Sequence, residues 1–322
     1  MANYQDIRKA RIPLTHGAGE MPALGFGTLI PDPAVTITAT RYALDAGFRH
    51  FDCAERYGNE REVGQALHEG LATAGISRED IFITTKVWNT NHRPERVERA
   101  VEASLDRLRL SYLNLYLIHT PFAFQPGDDQ DPRDKDGNVL YDHDVTLLDT
   151  WKAMETLVDH GTCRAIGLSD ITLEALKPIY ESGRIKPAVV QVESHPYVPE
   201  TELLEFCNEK GIVFLAFAPL GHGMKPGLLE DPVISTITAG RKNAGTSADS
   251  LGDTARHRSA NHAQKCRPRE GKFRRLAPST RRFRRNQPNP DQTATESSGE
   301  QRRAWFHPTS QINCARQIGS RR

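Results

Sequence analysis

Four polar side chains in the first 120 residues are of the types that transfer a proton to a carbonyl oxygen: Asp52, Tyr57, Lys86 and His119. A free tyrosine titrates near about 10 and is a poor acid at neutral pH, but a neighbouring ammonium favours the phenolate and lowers that pKa. A carboxylate can hold such a lysine in place, and a histidine can donate a hydrogen bond to the substrate oxygen. Together the four groups would polarise and protonate a carbonyl while a cofactor delivers hydride.

Each of these residues also has an ordinary structural explanation. An aspartate at a strand end often caps the next helix, and a single buried histidine is usually a hydrogen-bonded structural residue. A loop tyrosine commonly packs on the surface, and a terminal lysine is commonly solvated. The chemical interpretation therefore requires a fold that brings all four side chains to one place.

Seven short apolar segments, rich in β-branched and aromatic residues, predict parallel strands that are buried on both faces. They span residues 23–28, 48–54, 81–87, 113–120, 163–169, 188–194 and 212–219. Helical patterns span residues 59–75 and 95–108, and others begin near Ala34, Thr146, Thr172 and Thr201. This alternation predicts an α/β fold, either a (β/α)8 TIM barrel or an open doubly wound sheet.

The candidate catalytic residues lie at or just beyond the carboxyl ends of the second, third and fourth predicted strands, and these ends would converge at one mouth in a parallel barrel. An open sheet that binds a dinucleotide is disfavoured. Gly25 and Gly27 after the first strand lack the third glycine and the helix of the dinucleotide fingerprint.

Charge is distributed unevenly along the chain, although its formal net charge is only +1. Residues 1–240 contain about 23 basic and 35 acidic side chains, whereas residues 241–322 contain about 19 basic and 6 acidic ones. Beyond residue 240 the periodicity disappears, and the composition becomes rich in Arg, Pro and Ser, as in disordered segments. We therefore predict a barrel in residues 1–240 and an aberrant, disordered tail in residues 241–322.

Cysteine usage and hydropathy argue against several protein classes. The five cysteines form no CxxC pair, and their odd number is unlike a disulfide framework, so we expect a reducing, cytoplasmic location. We expect no membrane association, because the sequence shows neither a signal peptide nor a membrane-spanning segment. We expect no metal site, because no HExxH motif or Cys/His cluster is present.

Several segments resemble, in order and spacing, those of the aldo-keto reductase superfamily, in particular aldehyde and aldose reductases. They are MPALGFGT, FDCAERYGNEREVGQAL, ITTKVWN, LYLIHTP, AIGLSD, VVQVESHPY and FAPLG, and the resemblance covers about residues 10–235. It implies a TIM barrel that binds NADP(H) across its mouth and reduces a small carbonyl compound. We expect a monomer, because a barrel of this type needs no partner to complete its site.

By position, the resemblance assigns a role to each of the four candidates. Tyr57 resembles the proton donor, and Lys86 resembles the residue that lowers its pKa. Asp52 resembles the carboxylate partner of that lysine, and His119 resembles the residue that orients the substrate carbonyl.

The resemblance also implies a cofactor-binding set, which consists of Ser169, Asp170, Gln191, Phe217, Leu220 and Gly221. The first three match positions that hold the nicotinamide carboxamide. The phenylalanine matches an aromatic residue that stacks on the nicotinamide ring, and the last two match a loop beside the pyrophosphate. Position 170 is usually Asn in the family, so we expect the aspartate to weaken cofactor orientation. Position 217 is often Tyr, and stacking survives the change to Phe.

The substrate-binding positions implied by the resemblance are His119, Trp88, Phe124 and Leu29. Leu29 and Thr120 stand where aldose and aldehyde reductases have Trp, which predicts a roomier and less aromatic pocket. Trp88 and Phe124 remain candidate pocket walls, and ordinary packing at the barrel rim explains them equally well. We expect the long loop 121–144 to influence specificity and its acidic residues to be solvated.

The family continues past residues 231–234 with a helix, an eighth strand and a Lys-Ser motif that grips the 2′-phosphate, but this sequence does not. Read one nucleotide later, Asn261–Cys266 permits Ile-Met-Pro-Lys-Ser, Gly271–Arg275 permits Glu-Asn-Phe-Asp, and Arg303–Pro308 permits Val-Pro-Gly-Phe-Ile-Pro. These resemble family segments in the correct order. We infer a frame shift upstream of about residue 245, so that strand eight and the C-terminal helices are missing or aberrant as written.

Two other functions remain open at this point. The first is a catalytically inactive barrel that acts as a binding or sensing protein, which the intact set of four catalytic residues disfavours. The second is nucleic-acid binding by the Arg-rich tail, through neutralisation of phosphates. An out-of-frame tail is the simpler explanation, so we expect no nucleic-acid partner.

Overall fold

The structure, a computed structural model, describes residues 7–221 and 227–237. These residues belong to the first of two compact units, which spans Met1–Ser259, whereas the second spans Ala260–Arg322. The predicted tail 241–322, its disorder and its shifted reading frame all lie outside the described residues and stay predictions.

Nine strands and seven α-helices form the described part of the chain. The strands are β1 Arg11–Pro13, β2 Glu20–Pro22, β3 Phe26–Gly27, β4 His50–Asp52, β5 Phe82–Val87, β6 Leu113–Ile118, β7 Cys163–Ser169, β8 Val189–Glu193 and β9 Val213–Phe217. The helices are α1 Pro33–Asp45, α2 Glu60–Ala74, α3 Pro94–Leu108, α4 Leu147–Asp159, α5 Leu173–Ser182, α6 Thr201–Lys210 and α7 Pro232–Ile237.

Strands β3 to β9 form one sheet in chain order, and every neighbouring pair is parallel. The sheet is curled, because Gln191 Nε2 on β8 donates to Asp52 Oδ1 on β4 over 3.0 Å. Four strand spacings would separate these two strands by about 19 Å in a flat sheet. The predicted α/β barrel is therefore confirmed over the open sheet. Within the described residues no eighth strand pairs with β3 or β9.

Two apolar clusters lie on opposite faces of the curled sheet. Alternate residues of β6 show the division, since Tyr116 and Ile118 belong to the outer cluster with the helices, whereas Leu115 and Leu117 belong to the inner one. A strand that is covered on both faces reads as a continuous apolar run, as the sequence predicted.

The antiparallel hairpin of β1 and β2 lies at the amino-terminal end of the barrel. Leu14 and Met21 of this segment pack in the inner cluster with Phe82, Val189 and Val213, which are the first residues of three strands. The predicted first strand, 23–28, is correspondingly shortened to β3. The hairpin was not predicted, because its strands have three residues each and both contain proline.

The helices begin where the sequence provides caps. Thr146 and Thr172 accept hydrogen bonds from the amides of the first turns of α4 and α5, and Asp32 does the same for α1. On α3 the apolar stripe containing Val97 and Val101 is fully buried against the sheet. None of the described helices has the length and apolarity needed to cross a membrane.

Candidate active site

Lys86 lies at the centre of a polar cluster at the carboxyl end of the barrel. Its Nζ donates to Asp52 Oδ2 over 2.8 Å, to the Cys53 carbonyl oxygen over 2.8 Å and to Tyr57 Oη over 3.4 Å. Burial by itself lowers the pKa of Lys86, but Asp52 and Tyr57 outweigh it, and the net pKa is raised. The lysine is therefore a permanent cation with only 1% of its side chain exposed.

Tyr57 ends the short 3-10 turn Glu55–Tyr57 that follows β4. Burial raises the pKa of Tyr57, and the charge of Asp52 adds to this rise, whereas Lys86 lowers the pKa. Lys86 therefore acts on the Tyr57 pKa in the predicted direction, although desolvation outweighs it and the net pKa is raised. Tyr57 is consequently protonated at neutral pH, as a proton donor must be.

His119 immediately follows β6, and its ring meets the Tyr57 ring edge to face, with 5.8 Å between centroids. Burial lowers the pKa of His119 well below its usual value, and the positive charges of Lys86 and Arg56 lower it further. The imidazole is therefore neutral near pH 7. Its Nδ1 is buried without a hydrogen-bond partner in the described part of the chain.

Aromatic side chains line the mouth beside His119. The Trp88 ring lies 5.1 Å from the His119 ring and 5.9 Å from the Phe124 ring, both edge to face. Trp88 is 1% exposed, and Phe124 is 8% exposed. By contrast Leu29, after β3, is 46% exposed. Trp88 thus contacts the predicted catalytic set directly, while Phe124 contacts it through Trp88.

The long loop 121–144 is folded against the barrel. Asp142 is 4% exposed, and its carboxylate accepts two hydrogen bonds from Arg93, at 2.7 and 3.2 Å. Asp131 pairs with Arg56 over 2.5 Å. The expectation that the acidic residues of this loop are merely solvated is therefore wrong for these two, because each neutralises an arginine.

The candidate cofactor residues lie on the last three strands or directly after them. Ser169 is the last residue of β7 and Gln191 is the middle residue of β8, and these two buried residues are register partners. The Gln191 amide also donates to Asp52, which links this group to the polar cluster around Lys86. Half-buried Phe217 ends β9. A hydroxyl, an amide and an aromatic ring on three adjacent strands fit an aromatic ring that carries a carboxamide.

Two of the other cofactor candidates have left-handed backbones. Asp170 has φ of 49°, a region that aspartate tolerates better than most residues, and Gly221 has φ of 75°. Desolvation raises the pKa of Asp170 to about 6, Lys86 opposes the rise, and Glu193 adds to it. Leu220 is 41% exposed. The turn containing Leu220 and Gly221 projects from the same end of the sheet as Ser169.

A model of the aldo/keto reductase family matches residues 23–248. The chain belongs to this family. Members of this family are oxidoreductases. The match includes every strand of the parallel sheet, so this assignment applies to the whole described sheet.

Individual relatives agree with the family match. The chain is 43% identical over 232 residues to aldo-keto reductase family 1 member A1 of Rattus norvegicus, covering 70% of this chain and 71% of the relative. It is 43% identical over 226 residues to the protein of that name from Gallus gallus, covering 68% and 69%. The structure of the aldose reductase from Schistosoma japonicum matches with a TM-score of 0.70 and 41% identity, covering 74% of this chain and 77% of that chain.

Sequence reasoning missed several groups that hold the site together. Glu55 accepts the Trp88 amide over 3.1 Å and Asn91 Nδ2 over 2.8 Å, which ties the tyrosine turn to the segment after β5. The Cys53 carbonyl is an acceptor for Lys86, and a backbone group gives no residue-type signal. For Glu55, the available signal was a carboxylate two residues before Tyr57 in the Ala-Glu-Arg-Tyr segment.

Proposed function

We propose that this protein reduces aldehydes or ketones to alcohols with NADP(H), and that Tyr57 gives the proton. The observation that carries the proposal is the cluster in which Lys86 Nζ lies 2.8 Å from Asp52 Oδ2 and 3.4 Å from Tyr57 Oη. A nicotinamide cofactor, when bound, supplies the hydride. Ser169, Asp170, Gln191 and Phe217 would hold its nicotinamide end.

The protein's own groups account for the proton transfer. Neutral His119 orients the carbonyl oxygen, and Tyr57 Oη donates its proton to that oxygen. The phenolate that remains is stabilised by the adjacent Lys86 ammonium, because opposite charges attract strongly where water is excluded. Asp52 fixes the ammonium, so no reorganisation is needed when the negative charge develops.

The test replaces the phenol alone. Tyr57→Phe keeps the ring that packs against His119 but removes the acidic proton, and we expect kcat for aldehyde reduction to fall by a factor of about 10² to 10⁴. Tyr42→Phe is the matched control, because Tyr42 lies on α1 with 68% of its surface exposed. Equal activity of wild type and Tyr57→Phe would overturn the proposal and favour a binding or sensing protein.

A further inference from the structure

Arg56, the residue before Tyr57, connects the tyrosine turn to the long loop 121–144. Its Nη2 donates to Asp131 Oδ2 over 2.5 Å, and its Nη1 donates to Gln130 Oε1 over 3.3 Å. The guanidinium also lies over the Trp88 ring, 5.3 Å from its centroid. Trp88 Nε1 in turn donates to the Gln130 carbonyl over 2.7 Å. One arginine therefore joins three segments of the barrel mouth.

These contacts hold residues 130 and 131 of the loop beside the tyrosine turn. The loop begins after β6, but residues 130 and 131 reach back past Trp88, which follows β5, to Arg56, which follows β4. It therefore spans three consecutive strand ends on the side of the mouth where Tyr57 and His119 lie. A carbonyl compound that approaches from this side must fit beneath or beside it.

Arg56 also acts on His119 through its charge. The charged or titratable groups that face His119 are Lys86 of β5, Arg56 of the tyrosine turn and His92 after β5, with the Tyr57 ring in contact. Burial is the largest cause of the lowered His119 pKa, and these three basic groups lower it further. Removal of Arg56 would raise the His119 pKa, because a like charge that disfavours protonation is lost.

We propose that Arg56 is a positioning and specificity-determining residue, which fastens residues 130 and 131 to the tyrosine turn and so limits the size of the carbonyl compound that reaches Tyr57 and His119. The limit on substrate size rests on the proposed carbonyl reduction. The fastening of the loop by Arg56 does not depend on that proposed function.

The first experiment measures the loop without turnover. Backbone hydrogen exchange of residues 125–141 is compared in the full-length wild type, Arg56→Met, Asp131→Asn and Arg133→Met. Arg133 is the matched control, since within the described part of the chain the side chain of this exposed arginine donates only to the Gly137 carbonyl of the same loop. The Arg56–Asp131 pair is partly exposed, with 34% and 37% of the side chains accessible, so we expect exchange to accelerate about two- to fivefold. Unchanged exchange in both Arg56→Met and Asp131→Asn would overturn the fastening.

The second experiment measures size selection. We expect Arg56→Met and Asp131→Asn to raise the ratio of kcat/KM for 2-naphthaldehyde to that for propanal about two- to fivefold, mainly through KM. Arg133→Met should keep the wild-type ratio. If accelerated exchange came with an unchanged ratio, the loop would be fastened by Arg56 without limiting substrate size, and the proposal would fail in that part.

The third experiment separates charge from loop position through the pH profile of kcat at saturating cofactor. Arg56→Met should shift the acid limb to higher pH, because His119 protonates more easily, whereas Asp131→Asn should not, because the Arg56 charge remains. Arg56→Lys keeps the charge and should restore the wild-type limb. A merely structural role would give both loop variants the same profile. Failure of the proposed function is distinguishable, because wild type and Tyr57→Phe would then reduce aldehydes equally.

Discussion

Among the residues of the site, Lys86 is the one whose position is most completely determined. An ammonium has three donors, and the Lys86 ammonium uses them on a carboxylate, a backbone carbonyl and a phenol. The sequence predicted the carboxylate and the phenol, because their residue types carry the chemistry. It did not predict the Gln191–Asp52 hydrogen bond, which joins residues 139 apart and depends on how far the sheet curls.

Asp170 provides a test at the same scale. We expect Asp170→Asn to tighten NADPH binding about fivefold, because the amide donates a hydrogen bond that an ionised carboxylate cannot. In the wild type the affinity should rise as pH falls through about 6, where Asp170 gains a proton and becomes a donor. The variant should lose this dependence.

Fluorescence titration of NADPH between pH 5 and 8 measures both effects. Asp128→Asn, in the long loop, is the control for loss of one negative charge. A wild type and Asp170→Asn with equal affinity at pH 8 would show that Asp170 does not contact the cofactor.

At the scale of elements, periodicity and caps predicted most helices and strands to within two residues. The predicted strand 163–169 and the predicted helix 95–108 match β7 and α3 closely. The hairpin of β1 and β2 was not predicted, and β3 keeps only two residues of the predicted strand 23–28. The hairpin segment is held by burial of Leu14 and Met21 in the inner cluster, and such long-range packing leaves no periodic pattern in the chain.

Contact between α2 and α3 depends on one glycine. A Cβ on Gly64 would lie 2.7 Å from the Arg107 carbonyl oxygen and 2.7 Å from Leu108 Cα, which are backbone atoms that cannot move independently. Alanine favours a helix by about 1 kcal/mol over glycine, but overpacking costs about 1–3 kcal/mol. We therefore expect the substitution to lower the free energy of unfolding.

We therefore expect Gly64→Ala to lower Tm by several degrees in a thermal melt. Gly127→Ala is the matched control, because the nearest atom to its added Cβ is the Asp129 amide nitrogen at 4.0 Å. A Gly64→Ala variant as stable as the wild type would mean that the two helices can separate at little cost.

At the scale of the whole molecule, the described barrel has seven parallel strands, and within the described residues β3 and β9 are its two edges. Unpaired strand edges favour aggregation. We predict that the chain as written folds poorly and binds NADPH weakly. A chain carrying the shifted reading frame from about residue 245 should be more soluble and more stable.

Purification of both chains, followed by thermal melts and NADPH titration, tests this prediction. A soluble monomer of the chain as written, with a cooperative melt and tight NADPH binding, would contradict it. Mass spectrometry of the natural protein beyond residue 235 would decide which reading frame is expressed.

Buried histidines predict acid sensitivity of the whole barrel. Burial lowers the pKa of His50 and of His92 to about 4, although nearby carboxylates oppose this. The unfolded chain therefore binds more protons between about pH 4 and 6.5, so stability is complete above 6.5 and is lost as pH falls. Each histidine contributes at most about 3 kcal/mol to this loss.

Denaturant unfolding at pH 7.5, 6 and 5 measures this dependence. His92→Gln should flatten it, because Gln does not gain a charge, whereas the exposed His68 can be replaced by Gln as a control. If the free energy of unfolding fell equally with pH in wild type and His92→Gln, His92 would be shown to protonate without unfolding the barrel.

The hairpin of β1 and β2 has a kinetic consequence. Because it covers the amino-terminal end of the sheet, the mouth through which ligands reach the polar cluster around Lys86 lies at the opposite end. Two ligands that use the same opening bind in a fixed order, and the one that lies deeper binds first and is released last. The release of the deeper ligand can then limit kcat, even when proton transfer is fast.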